Sequence, residues 1–156
     1  MSKPQPQAPR AHLTRRYWFA ASHRLHSDAL SAEENQRLYG KCNNPYGHCH
    51  NYALEVTVGG PVSAATGMVA NLADVDRVVE EEVLARFDHS NLNHCREQFG
   101  DKVPTSEYLC VEIYRLLCAR WGREAGLAGT RLARIRLEET RNNTFEFGPG
   151  VNGPQE

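Results

Sequence analysis

No apolar run in this chain approaches the ~20 residues needed to cross a bilayer as a helix, which excludes a membrane-spanning helix. The first residues also lack the apolar core of a secretory leader. An excess of one charge is missing too: 18 Lys and Arg stand against 19 Asp and Glu, for a net charge of −1. The basic residues are scattered, so there is no electrostatic footprint for nucleic acid. Internal repeats and breaks in composition are absent, and 156 residues suit one domain. Such a chain can bury roughly 68–70% of its unfolded surface, so its core needs no metal, and any metal site is expected to serve chemistry. Cysteines are few and odd in number, five in all. Without a secretion signal, that predicts reduced thiols and a cytoplasmic location.

Both ends are poor in structure-forming residues. Three prolines fall in the first nine positions, and "GPGVNGPQE" closes the chain. Residues 1–12 and 148–156 are therefore expected as flexible tails around a single domain over 13–147. Leu13–His23 alternates as a strand, with Tyr17, Phe19, Ala21 and His23 on one face. After turn-rich sequence, a second strand is expected from His48 to about Val58, broken by Gly59-Gly60-Pro61. "GMVA" then reads as a short antiparallel return.

Asn71 is a good N-cap for a helix to about Phe87, with Leu72, Val75, Val79 and Val83 as its stripe. A second helix starts near Thr105-Ser106, buries Leu109, Ile113, Leu116 or Leu117, and Trp121, and stops at Gly122. "RLARIRLEET" supplies the last strand. The expected architecture is α+β: an antiparallel four-stranded sheet with two helices packed on one face.

The densest chemistry lies in Gly40–Tyr52, "GKCNNPYGHCHNY", which holds two histidines and two cysteines. Side chains alternate along a strand, so His48 and His50 point one way and Cys49 the other. A His-x-His pair on a strand offers two imidazoles to one zinc ion, and His23 ends another apolar strand face. Three imidazoles with an open fourth position would be a catalytic arrangement rather than a structural one. Two alternatives remain: incidental histidines at a strand start, or a closed site of Cys42, His48, Cys49 and His50. His12, His26 and His94 fall in tail or loop sequence and read as solvated.

Cys42 sits among polar turn formers, where a thiol near zinc could act as a base. Cys110 and Cys118 read as helix packing residues. Asp88-His89 could orient such a base or simply cap the first helix. Glu139 continues the apolar face of Ala133, Ile135 and Leu137, whereas Glu138 shares the charged face of Arg134 and Arg136. A carboxylate ending a buried face needs a partner, such as the N–H edge of a guanidine-like heterocycle, unless the strand frays and leaves it wet.

The stretches "FAASHRLHS", "LSAEENQRLYGKCNNPYGHCHNY", "TGMVANLADV", "FDHSNLN", "PTSE" and "EETRNN" together resemble the 6-pyruvoyltetrahydropterin synthases, from about Leu13 to Phe147. The resemblance implies the tunnelling fold, in which subunit sheets join into a trimeric barrel and two trimers stack as a homohexamer. It implies zinc on His23, His48 and His50, and Cys42 as general base. Asp88 and His89 would relay to that base from a neighbouring subunit. Glu139 would anchor a pterin, with Ser106 and Glu107 as further pterin contacts. Cys49 stands where the family usually has glycine, which raises the question of strain.

The implied reaction converts 7,8-dihydroneopterin triphosphate to 6-pyruvoyltetrahydropterin, a lyase step that eliminates triphosphate in tetrahydrobiopterin-type biosynthesis. An alternative is the related 6-carboxytetrahydropterin synthase of deazaguanine biosynthesis, which usually has a shorter loop between the cysteine and the His-x-His pair. A non-catalytic zinc-dependent pterin-binding module is the third reading.

Overall fold

A computed structural model describes residues 7–149 and 151. β-Branched and aromatic residues at alternate positions build two long strands, β1 (Arg10–His23) and β2 (His48–Pro61). They pair antiparallel over their whole length, from Arg10 opposite Pro61 to His23 opposite His48. β1 thus begins inside the segment expected as a tail, three residues before Leu13. Residues 1–6, 150 and 152–156 of the expected tails lie outside the described residues.

β2 runs through Gly59-Gly60-Pro61 instead of breaking there. Crowding explains the glycines. A Cβ on Gly59 would lie 3.0 Å from the His12 ring, and one on Gly60 3.2 Å from Val69. They permit close approach inside a strand rather than a turn.

Between these strands lies α1 (Ala32–Tyr39), in sequence that had suggested only turns. Ser31 and Glu34 form a reciprocal capping box at its start. Asn71 caps the next helix by accepting the Ala73 N–H at 3.0 Å. α2 (Leu72–Val79) passes through one widened π turn, Glu80–Leu84, into α3 (Ala85–Phe87). Val75, Val78, Val79, Val83 and Phe87 are buried along this helix, whereas Leu72 is exposed. After β3 (Ser90–Asn91) and α4 (Arg96–Phe99), α5 (Ser106–Trp121) starts at Thr105, whose hydroxyl accepts the Tyr108 N–H at 3.3 Å. Its buried stripe is Leu109, Ile113, Leu117 and Trp121, and it ends at Gly122.

β4 (Arg131–Thr140) then pairs antiparallel with β2, and β5 (Asn143–Phe147) with β4. The sheet has five strands in the order β3-β1-β2-β4-β5, not four. "GMVA" is no strand: Gly67 takes φ +72, and Ser63 N–H bonds to the Met68 carbonyl, closing a local turn. Two strands are therefore new: β3, which pairs with β1 in parallel within an otherwise antiparallel sheet, and β5, which forms because the chain after Thr140 folds back as a hairpin.

α2, α3 and α5 cover the face carrying Phe19, Tyr52, Leu54, Val56, Ile135 and Leu137. Arg16, Glu55, Arg136 and Glu138 form ion pairs on the other face. In β4 the register steps from Arg134 opposite Thr57 to Leu132 opposite Val58, so Ala133 bulges and Leu132 takes the core position that alternation assigns to Ala133. No helix among the described residues is long and apolar enough to cross a membrane.

Candidate active site

The strand register assembles three histidines. His23 stands opposite His48, and Ala21 opposite His50, so all three imidazoles project from one face at the end of the β1–β2 ladder. Their ligand nitrogens lie within 4.8 Å of one another. His23 Nε2 is 3.1 Å from His48 Nε2, close to the ~3.3 Å that two imidazole nitrogens take on one tetrahedral zinc ion.

His23 is buried, and its Nδ1–H donates to the Pro104 carbonyl at 2.9 Å, which leaves the Nε2 lone pair free for a metal. Burial lowers the His23 pKa, and His48 shifts the same way for the same first reason, so both favour the neutral form that binds metal. His48 Nδ1 is buried without a partner among the described residues.

The cluster includes neither Cys42 nor Cys49. That excludes the closed four-ligand alternative within the described residues and leaves an open site. Cys49 is exposed, pairs with Ser22 and has an ordinary negative φ, so replacing the family glycine strains nothing.

Glu139 completes the cleft. It follows Ile135 and Leu137 on the inner face of β4, and its carboxylate lies beside the histidines, 3.6 Å from His50 Nε2 and 3.9 Å from His23 Nε2. Its side chain is only 13% exposed. Ser106 Oγ donates to Oε1 at 2.6 Å, and Asn143 Nδ2 to Oε2 at 3.3 Å. Burial alone would raise the Glu139 pKa. These two bonds and the nearby imidazoles outweigh it, holding the carboxyl below the usual range.

Because the Ser106 hydroxyl proton points at Glu139, the Tyr52 hydroxyl, 3.3 Å away, must be the donor to Ser106. Tyr52, Asn143 and Pro104 were not foreseen as site residues. Only Tyr52 had a signal, the strand period that puts it on the face of His48 and His50. Glu107, one residue past Ser106, is exposed.

Cys42 lies in a tight turn, Gly40–Asn43, half-buried. Its carbonyl accepts the Leu25 N–H at 2.8 Å, and Arg24 and His26 both bond Asn43, which ties the turn to the segment leaving His23. Asp88 and His89 lie elsewhere, along the outer edge of β1. Asp88 Oδ1 accepts the Ala20 N–H at 2.9 Å, and His89 N–H donates to the Ala20 carbonyl at 2.7 Å. His89 is in the left-handed region, φ +56, with its ring 84% exposed. No hydrogen bond joins either residue to Cys42 among the described residues.

The family model described as 6-pyruvoyl tetrahydropterin synthase matches residues 12–149. The chain belongs to this family. It is 45% identical to the 6-pyruvoyl tetrahydrobiopterin synthase of Poecilia reticulata, over 94% of this chain and 96% of that protein. Identity to the Homo sapiens protein of that name is also 45%, over 88% of this chain and 90% of that protein. The solved structure of Caenorhabditis elegans 6-pyruvoyl tetrahydropterin synthase superposes with a TM-score of 0.83 at 34% identity, covering 93% of this chain and 99% of that one. The α+β architecture is thus the tunnelling fold of the 6-pyruvoyl tetrahydropterin synthases.

Proposed function

We propose that the protein is a zinc-dependent lyase that converts 7,8-dihydroneopterin triphosphate to 6-pyruvoyltetrahydropterin with loss of triphosphate. The observation that carries this reading is the juxtaposition of a three-imidazole cluster with a half-buried, ionised carboxylate 3.6 Å from His50. His23, His48 and His50 would hold Zn²⁺, which when bound supplies Lewis acidity to the side-chain hydroxyls of the substrate.

Glu139 anchors the pterin. Ser106 and Asn143 occupy one site on each carboxylate oxygen, and a carboxylate offers about four, so two remain for a planar N–H edge. Tyr52 and Ser106 act as positioning residues for it, and Glu107 contacts the pterin at the mouth of α5. Anchoring the ring fixes which carbons lie beside the metal and Cys42.

Cys42 moves protons as the general base. Asp88 and His89 serve the relay of a neighbouring subunit, a reading supported by the exposed His89 ring at the sheet edge. β3 with Asp88 and His89 covers only Ala20 to Ser22 of the β1 edge, which leaves the described stretch before Ala20 open to another sheet and suits a barrel of subunits within a homohexamer. Five free cysteines suit a reducing, cytoplasmic setting.

Product analysis tests the proposal. Zinc-loaded protein given dihydroneopterin triphosphate should release triphosphate and form the pyruvoyl product without acetaldehyde. Acetaldehyde would identify the carboxytetrahydropterin reaction. Zinc and pterin binding without turnover would identify a binding module.

A further inference from the structure

Glu139 forms ion pairs with His23 and His50 and with no Lys or Arg among the described residues, so the three phosphates need cations from elsewhere. A cavity of about 690 Å³ lies beside His23. Two of its walls touch that histidine. Pro104 lines the cavity and holds His23, and Gly47 lines it while lying against the His23 carbonyl, 2.9 Å from where a Cβ would sit.

Arg24, the residue after His23, lines the inner end. Its guanidinium bonds only to neutral oxygens, the Asn43 carbonyl at 3.1 Å and Asn43 Oδ1 at 3.3 Å, and it forms no ion pair among the described residues. Farther out, Lys102 lies 5.3 Å above the Tyr108 ring and likewise has no carboxylate partner among the described residues. Arg96 adds a third cation, loosely paired with Asp101 at 3.8 Å. The acidic groups here, Asp28 and Asp101, are fully exposed, so solvent screens them.

We propose that this cavity binds the polyphosphate chain of the substrate, with Arg24 as the inner contact and Lys102 and Arg96 as the outer ones. The proposal rests on the reading of the site as one that acts on a pterin triphosphate. The short side chain of dihydroneopterin requires the phosphates to enter the first space beyond the metal, and the cavity walled by Gly47 and Pro104 is that space. A second cleft of about 680 Å³, lined by His12, Arg131 and Arg134, is also cationic. Eleven residues of extended β1 separate His12 from His23, roughly 36 Å, which is too far for one substrate to bridge. Arg24 would also couple the phosphates to the base, because the Asn43 it grips directly follows Cys42.

Calorimetric titration of the zinc-loaded protein with inorganic tripolyphosphate tests this, with zinc content measured afterwards because the probe chelates metal. Saturable binding is expected. Arg24→Gln should weaken it about tenfold or more, and Lys102→Gln several-fold, as charge-assisted bonds are lost. Lys102→Gln keeps the test sharp if Arg24→Gln disturbs the Cys42 turn. Arg131→Gln should leave the affinity unchanged, and the metal-free His48→Ala variant should still bind.

Absence of saturable binding would overturn the proposal. So would a loss confined to Arg131→Gln, which points to the far cleft, or a loss in His48→Ala, which points to phosphate on the metal. Turnover without tripolyphosphate binding would sink the cavity assignment alone. Binding without turnover would uphold it and sink the catalytic reading.

Discussion

His23 and His48 face each other across β1 and β2 with their Nε2 atoms 3.1 Å apart. Pro104 fixes the proton of His23 on Nδ1, so its Nε2 presents a lone pair toward its neighbour. A His48 Nε2–H tautomer donates to it, and where both Nε2 atoms are bare a shared cation relieves the repulsion of the two lone pairs. Desolvation lowers the pKa of both rings, which disfavours their imidazolium forms. The ligand pair is thus a property of strand register, and a slip of one residue would turn His48 and His50 to the other face.

His48→Ala should therefore abolish stoichiometric zinc and all turnover. Outer-sphere partners of zinc ligands are worth ~10–100-fold in affinity, and removing a ligand should exceed that. The fold should persist, because Tyr52, Leu54, Val56 and Val58 of the same strand are buried independently of the metal. Metal analysis and far-ultraviolet circular dichroism check both halves. Full zinc occupancy in the variant would refute the ligand assignment.

Cys42→Ala separates base from ligand. Cys42 lies outside the metal cluster, so the variant should keep its zinc and lose ~10²–10⁴-fold in turnover, the range of general-base catalysis. Loss of zinc in this variant would make Cys42 a fourth ligand.

Strand period sufficed to put His23, His48, His50 and Glu139 on one face, because alternation is a local property that register then carries across the sheet. Boundaries failed where nonlocal contacts decided them. Gly59 and Gly60 read as breakers, yet they are glycines because His12, Val69 and Thr130 press on them. The helix α1 was missed although Ser31 and Glu34 spell a capping box, since its short, polar sequence has no strong apolar stripe. Pro104 is 81 residues from the His23 ring it holds, and Asn143 reaches Glu139 only because the chain turns back into β5, which alternation along β4 does not mark. The bulge at Ala133 was equally hidden, because alternation alone assumes an unbroken ladder.

Gly47→Ala should damage the metal site from below. Gly47 has φ +71, and an added Cβ would meet the His23 carbonyl oxygen at 2.9 Å. The left-handed conformation alone costs roughly 1–2 kcal/mol for an L-residue. Gly67 has nearly the same φ, +72, but open space around it, so Gly67→Ala carries only that conformational cost. Thermal melts and zinc titrations of the two variants should show the larger stability loss and a weakened zinc affinity at Gly47 alone. Equal behaviour would mean that the backbone at His23 yields to the added methyl without moving the ring.

Acid should destabilise the metal-free protein in two stages. His23 and His48 have folded pKa values below their ordinary 6.5, so the unfolded chain binds more protons and stability falls as pH drops through about 6.5. Glu139 has a folded pKa below its ordinary 4.5; its contribution is present above that pH and is lost as pH falls through the folded value. Melting temperatures of chelator-treated protein across this range check the sign. Stability that rose from pH 7 to pH 5 would mean that the imidazoles are stabilised as cations.

Glu139→Gln against Glu138→Gln tests the strand face directly. Both oxygens of Glu139 accept bonds, from Ser106 and Asn143, and each keeps a further acceptor site. An amide there sets a donor against donors, whether those of the protein or the N–H edge of the pterin. Losing a charge-assisted bond in a buried position costs roughly 1.5–3 kcal/mol, which is about ten- to hundredfold in affinity. Glu138 points to the opposite face, where its carboxylate is 3.4 Å from Arg16 and 3.9 Å from Arg136. Such partly exposed pairs are worth ~0–1 kcal/mol, so Glu138→Gln should barely alter pterin binding. Substrate affinity measured for both variants decides it: equal effects would remove Glu139 from the anchoring role, since only Glu139 borders the histidine cluster.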